Sequence, residues 1–263
     1  MSIHTMNRRV FISGCTAVAI APLAAVAQSA KPPAPGSIDP PDRMLDGLPR
    51  LLEITSVPGV GIGVVQRGKL IWERYVGVAD ASTKKPIGGE TLFPAASLSK
   101  PVFTFAALGL VDQRSLDLDR PLKSYVPGHA AADPRADKIT ARHVLSHSSG
   151  LRNWRNSVEQ RLTPEFEPGS KFQYSGEGFY YLQRAVEKIT GRSFEQFMQD
   201  RLLEPLGMSS STYGWRDDTD ARLVSGHNRG NPSRGPRNEF AARLLDYAKS
   251  RGRPLSSFTH EDI

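Results

Sequence analysis

An α+β fold is what this sequence predicts, with the edge of an antiparallel sheet packed on helices and a helical subdomain beside it. Three observations predict it. Val60–Val65 and Leu70–Val78 are runs of β-branched, apolar and aromatic residues separated by Gln66-Arg67-Gly68-Lys69, a hairpin signal. Phe93-Pro94-Ala95-Ala96-Ser97-Leu98-Ser99-Lys100-Pro101 then runs into Val102–Val111, which carries no charge until Asp112 and has the composition of a buried helix. Phe179–Ile189 and a stretch capped by Ser193 continue the helical signal further on.

The first 27 residues read as a targeting segment. Arg8 and Arg9 form its positive region, Thr16–Val26 is small and apolar, and Ala25-Val26-Ala27 offers an A-x-A cleavage site. Asn7-Arg8-Arg9-Val10-Phe11-Ile12 resembles a twin-arginine export signal, so a periplasmic or secreted location is expected. The apolar run is short for a bilayer span, and a cleaved signal outranks an anchor. Cys15 lies on the wrong side of that run for a lipoprotein box. Cleavage after Ala27 would remove Cys15, the one cysteine, and would take the formal net charge from +7 to +5 through loss of Arg8 and Arg9. Disulfides and a thiol nucleophile are thereby excluded from the mature chain. The basic balance has no nucleic-acid motif beside it and its residues are scattered, so a generally basic surface accounts for it.

Residues 28–41 read as a leader, rich in proline and small residues from Ala30 to Pro41, and 42–263 as one domain. Asp42–Thr55 has an amphipathic pattern through Met44, Leu48, Leu51 and Leu52, and Pro58-Gly59 ends it. Gly59, Gly61 and Gly63 weaken the first strand but let another backbone approach closely. Asp80–Glu90 is polar and turn-rich. Ile139–His147 has helical spacing, with Thr140 as cap and Gly150 as stop. Ser193 caps a helix carrying Phe194, Phe197, Met198, Arg201 and Leu202 in register, and Pro205-Leu206-Gly207 closes it.

The chemistry centres on Ser97 and Lys100. Three residues along a helix rotate by about 300° and rise about 4.5 Å, so the two side chains share a face and can meet. A serine hydroxyl needs a base, and a lysine serves as one only when burial or positive potential disfavours its charged form. The N-terminus of a helix supplies such potential, and its N–H groups can hold an oxyanion. Pro101 biases Lys100 away from the helical region, which predicts an irregular or 3₁₀-like first turn. A serine in this position alone reads as a helix cap. Ser82-Thr83-Lys84-Lys85 has the same S-x-x-K spacing, but Pro86, Gly88 and Gly89 follow it and it reads as a solvated loop. His143 and His147 have the i, i+4 spacing of a zinc pair without the glutamate of H-E-x-x-H or a third ligand, so they read as packing or surface residues and no metal is expected.

Several blocks in one order carry a resemblance. The hairpin, Phe93–Pro101, Ile139–Leu151, Phe166–Ser175 and Thr190-Gly191 through Met208 together resemble the serine β-lactamase and penicillin-binding-protein superfamily, in its class C β-lactamase-related branch. The branch also holds esterases and D-amino-acid peptidases. The resemblance implies the β-lactamase/transpeptidase-like fold, with Ser97 as acylated nucleophile, Lys100 as its proton-accepting partner, and Tyr174, matching the tyrosine of Y-x-N, as phenolate or relay to the leaving group. It implies hydrolysis of a small ester, amide or lactam, or of a cell-wall peptide, with water as second substrate and no cofactor.

Two departures stand out. Gly176 occupies the asparagine position of Y-x-N, which shifts the expectation towards the esterase and peptidase relatives. Neither K-T-G nor H-x-G occurs downstream, since His227-Asn228-Arg229-Gly230 has one residue too many and lies too early. Only two convincing strands are legible, both near the N-terminus, and two strands make a marginal sheet. Glu239–Ser250, capped by Asn238, and Thr259-His260-Glu261-Asp262 read as helices, the second with no room to continue. A C-terminally truncated chain is therefore expected, with an inactive remnant or a cell-wall-binding module as the alternative to an enzyme.

Overall fold

The structure is a computed structural model, and it describes residues 42–130, 132–155, 161–214, 216–228 and 231–235. The targeting segment, the leader and both C-terminal helices predicted from the sequence lie outside the described residues. The chain divides into two units, one formed by residues up to Leu48 with Gly61–Arg74, the other by Pro49–Val60 with Tyr75 onwards.

Helix α1 spans Asp42–Thr55, as its apolar spacing predicts, and carries Pro49 within it. Strands β1 (Gly59–Gln66) and β2 (Lys69–Asp80) form the expected hairpin, but its loop is two residues rather than four. Arg67 and Gly68 both have positive φ, 51° and 75°, the backbone of the tight turn that matches strand twist. A two-residue strand, β3 (Lys85–Pro86), pairs antiparallel with β2 and completes a sheet of order β1-β2-β3. The chain is crowded where Gly59 meets β2. A Cβ on Gly59 would lie 2.6 Å from the Val78 carbonyl oxygen, and one on Gly77, at φ +88°, would lie 2.2 Å from the Pro58 carbonyl oxygen. The loop before β3 holds Ser82 as expected, its N–H and hydroxyl both donating to the Asp80 carboxylate.

Helix α2 (Ser99–Asp112) follows a 3₁₀ turn over Ala96–Leu98. The irregular first turn is present, but Lys100 is helical, contrary to the bias expected from Pro101. Pro101 is the third residue of α2, where a backbone N–H would have no intrahelical acceptor, so the proline removes no ladder bond. The inner face of α2 carries Phe103, Ala106, Ala107 and Leu110, all buried. Phe103 meets Phe179 and Phe194 edge-on, with centroids 6.2 and 4.8 Å apart. Each fully buried phenylalanine contributes about 1.5–3 kcal/mol, so this aromatic junction is what fixes α2.

Phe179 belongs to α4 (Gly176–Thr190) and Phe194 to α5 (Phe194–Met198), with α3 (Ala141–Leu145) preceding both. The caps are those the sequence predicts. Thr140 accepts from the His143 N–H while the His143 ring accepts from the Thr140 N–H, and Ser193 and Gln196 make the same reciprocal pair. Gly191 ends α4 in the left-handed conformation at φ 65°. Helix α4 starts three residues before the predicted Phe179, because Ser175 caps it by accepting from the Gly178 N–H at 2.9 Å. The helix after Ser193 is regular only to Met198 and continues as a π turn over Gln199–Leu203.

Beyond α6 (Asp217–Arg222), strands β4 (Gly226–Asn228) and β5 (Asn231–Gly235) form a second antiparallel pair. With β3 they correct the expectation of two strands. Their sequence lacks a β-branched run, and the two residues leading into β4 are bonded to other backbone, Val224 N–H donating to Leu92 and Ser225 N–H to Ala79.

Candidate active site

Ser97, Lys100 and Tyr174, 77 residues apart at the extremes, come together at one point. The Tyr174 hydroxyl donates to Ser97 Oγ at 2.8 Å, and Lys100 Nζ donates to the same oxygen at 3.3 Å. Ser97 sits on the 3₁₀ turn and Lys100 in the first turn of α2, so their eclipsed spacing follows from local geometry. Ala96, just before Ser97, has φ +45°, a left-handed conformation that a non-glycine residue adopts at a cost of about 1–3 kcal/mol. The Tyr213 hydroxyl donates to the Ser99 carbonyl at 2.8 Å and ties down the start of α2.

Lys100 is partly buried between aromatic faces, its Nζ 5.0 Å from the Tyr174 centroid and 5.7 Å from that of Phe179. The Lys100 side chain, hydrogen-bonded to the Tyr174 phenol, holds it below the usual tyrosine range, and the bond with Ser97 adds to this. The Tyr174 phenolate is thus easier to form than that of an ordinary tyrosine. Ser97 itself is exposed and Tyr174 is 38% exposed, so the oxygens meet at an accessible place rather than in a closed interior.

The residues around Tyr174 explain the glycine that departs from Y-x-N. A Cβ on Gly176 would stand 2.7 Å from Trp154 Cη2 and 2.8 Å from the Asn153 carbonyl oxygen. That carbonyl accepts from both Gly176 and Glu177 N–H, at 3.1 and 3.0 Å, and Asn153 Oδ1 accepts from Gly176 N–H at 2.9 Å. Asn153 therefore occupies the N-terminus of α4 from outside, and the indole edge fills the place of a side chain at 176. The sequence offers no signal for this, because the contact joins positions more than twenty apart.

His143 and His147 are held separately. His143 closes the cap of α3, with Nδ1 accepting from Thr140 at 3.3 Å. His147 stacks on Tyr174. Their i, i+4 spacing directs a sequence reading towards metals and away from this contact. His227 Nε2 accepts from the Ala81 N–H at 3.0 Å, so that ring is engaged with the end of β2.

The beta-lactamase family model matches residues 48–249. The chain belongs to the beta-lactamase family. The match spans the hairpin, the turn that carries Ser97 and the α3–α5 helices, and it accords with the resemblance carried by the sequence blocks. Esterase EstB of Burkholderia gladioli is 31% identical over 174 residues, which is 55% of this chain and 44% of that protein. Lovastatin esterase of Penicillium rubens is 32% identical over 179 residues, 54% of this chain and 45% of that protein. The chain thus spans about half the length of these two relatives. A solved class C beta-lactamase superposes with a TM-score of 0.64 at 24% identity, covering 72% of this chain and 55% of the other, which shows the β-lactamase/transpeptidase-like fold with part of its sheet. Among the described residues no helix is long and apolar enough to cross a membrane.

Proposed function

We propose that this chain is a serine hydrolase that forms an acyl-enzyme on Ser97, with an ester as the favoured substrate. One observation carries the reading: two proton-handling groups, Tyr174 and Lys100, converge on a single serine oxygen at 2.8 and 3.3 Å. A nucleophile, its base and a group that holds the base are the parts that acyl transfer needs. With Tyr174 as the phenolate beside the Lys100 cation, the Ser97 proton passes to the Tyr174 oxygen as Oγ attacks the carbonyl carbon. Collapse of the tetrahedral intermediate breaks the acyl–oxygen bond, and the same proton leaves on the alcohol. Water then attacks the acyl-enzyme along the same path and frees Ser97. Ester is favoured over lactam because Gly176 brings no side-chain amide to the site and because the two relatives described above are esterases. The same reading takes the protein out of the cytoplasm through residues 1–27, which fractionation of cells expressing it with a C-terminal tag would decide.

Intact mass after incubation with a p-nitrophenyl ester, a penicillin or a fluorophosphonate is the test. A covalent adduct on wild type that disappears in Ser97→Ala is expected, and Lys100→Ala should slow acylation more than it weakens binding. Binding of penicillin without any covalent gain would identify a cell-wall-binding module instead. An adduct that survives Ser97→Ala would reject the assigned nucleophile.

A further inference from the structure

His147 takes no part in the proton path above, yet it grips Tyr174 in three ways. Its ring lies against the Tyr174 ring, with centroids 4.4 Å apart and planes 29° from parallel. Its backbone carbonyl accepts from the Gln173 N–H at 2.7 Å, and its Nδ1 accepts from the Ser175 N–H at 3.1 Å. The residues on either side of Tyr174 are thus bonded to one residue, which also supports the phenol ring between them. Phe172 and Phe179 pack on the same imidazole, at 5.8 and 5.3 Å between centroids.

The backbone of His147 is itself held in an uncommon conformation, φ +53°, just past the end of α3. A turn that needed only this backbone would be served by glycine or asparagine. A histidine there supplies in addition a flat ring and an acceptor nitrogen at fixed depth. The acceptor role demands a neutral imidazole, with its proton on Nε2. Protonation would put a hydrogen on Nδ1, facing the Ser175 N–H, and would add a cation near Lys100. The titratable and charged groups that face the ring are the Tyr174 phenol and the Lys100 ammonium of α2. On its own stretch His143 is occupied by Thr140. Burial, followed by the charge of Lys100, pushes His147 below the usual histidine range and keeps the neutral form at neutral pH.

We infer that His147 is the positioning residue that aims the Tyr174 hydroxyl at Ser97, through ring stacking and the pair of backbone bonds that bracket Tyr174. The inference rests on the proposed acyl transfer for its kinetic consequence, but not for its geometry. Aiming matters because misplacement of a reacting group by about 1 Å can lower a rate by about a hundredfold.

A kinetic cycle and a spectroscopic titration test it separately. His147→Asn tolerates the left-handed backbone and keeps a polar side chain but removes the ring. It should lower the acylation rate of Ser97 by a p-nitrophenyl ester about ten- to a hundredfold with little change in substrate binding. In a Tyr174→Phe background the same substitution should change the rate less than twofold, roughly, because the group it aims is gone. Equal factors in both backgrounds would show general damage to the fold and overturn the inference, as would a wild-type rate in His147→Asn. Independently of any turnover, a ¹³C-tyrosine label can be followed by NMR in the full chain, with the Tyr174 resonance identified by its loss in Tyr174→Phe. That resonance should move as pH falls through a value below the usual histidine range, and the movement should vanish in His147→Asn. Should His147→Asn lose its near-ultraviolet dichroism, the wild-type titration alone decides. A Tyr174 resonance blind to acid in that range overturns the positioning role, whereas a chain that titrates this way but never acylates overturns only the proposed reaction.

Discussion

Placing asparagine at Gly176, as the Y-x-N pattern would have it, should damage this protein rather than complete its site. The added Cβ would meet Trp154 Cη2 at 2.7 Å, Cζ2 at 2.8 Å and the Asn153 carbonyl oxygen at 2.8 Å. Carbon atoms rest about 3.5–4.0 Å apart, so the indole must retreat by about 1 Å. Trp154 is 64% exposed and can swing outward at little cost. The Asn153 carbonyl has no such freedom, because it accepts from the N–H groups of both Gly176 and Glu177. Moving it strains two bonds worth about 1 kcal/mol each, on top of an overpacking penalty of about 1–3 kcal/mol. Gly176→Asn should therefore lose about 2–4 kcal/mol in urea unfolding with an unchanged denaturant slope. Gly176→Ala carries the same Cβ and should fall by a similar amount. Trp154→Ala combined with Gly176→Asn should recover less than half of the loss, since the carbonyl remains in the way. A Gly176→Asn protein within about 0.5 kcal/mol of wild type would refute the reasoning, because surface changes without a specific clash fall in that range.

Two further outcomes follow from local geometry. Gly77→Ala combines a positive φ of 88° with a Cβ 2.2 Å from the Pro58 carbonyl oxygen and 2.8 Å from the Gly59 Cα, so both backbone and space oppose it. A loss of about 3 kcal/mol or more is expected, read as a drop in the denaturant midpoint, and a neutral substitution would contradict the close approach of Gly59 to β2. His129 should make stability depend on acid. Burial, with the charges of Arg155 and Arg184, lowers it from 6.5 to about 4, so the unfolded chain takes up a proton that the native chain refuses. Stability from this group is full above pH 6.5, declines as pH falls towards about 4, and levels below that. At about 1.36 kcal/mol per pH unit the ceiling is about 3 kcal/mol, and solvent screening of a ring that is not fully enclosed reduces it to about 1–2. Unfolding curves across that window should lose this slope in His129→Gln, and an unchanged slope would show that other groups set it.

What the sequence makes legible is what short stretches decide for themselves. The hairpin, the caps at Thr140 and Ser193 and the stop at Gly191 each depend on residues within a few positions, and each appears where the chain predicts it. The meeting of Ser97 with Lys100 is local in the same sense. Tyr174 is different, since no periodicity ties it to Ser97, and only the resemblance of the surrounding blocks puts it there. The errors have physical reasons of two kinds. Lys100 is helical against the steric bias on a residue before proline, at a place where Pro101 itself costs no ladder bond. The strands β4 and β5 lack β-forming composition, and the segment leading into them is anchored by bonds to Leu92 and Ala79. Contacts of that kind, including Trp154 on Gly176 and His147 on Tyr174, cannot be read from spacing because their partners lie far along the chain.

The accessible position of the site raises the question of what fixes its oxygens, since close packing around Ser97 does not. Two non-glycine residues in the left-handed region stand beside the hydrogen-bonded pair: Ala96 before Ser97, and His147 against Tyr174. Each conformation costs about 1–3 kcal/mol and persists only where the surroundings over-determine it. Phe179 lies against both α2 and His147. Its ring meets Phe103, one turn beyond Lys100, at 6.2 Å, and meets the His147 imidazole at 5.3 Å, while Lys100 Nζ lies 5.7 Å from its centroid. A single buried ring thus packs against the helix that follows Ser97 and against the imidazole that stacks on Tyr174. That support accounts for an exposed serine with two well-placed hydrogen-bonding partners, which close packing around Ser97 does not hold.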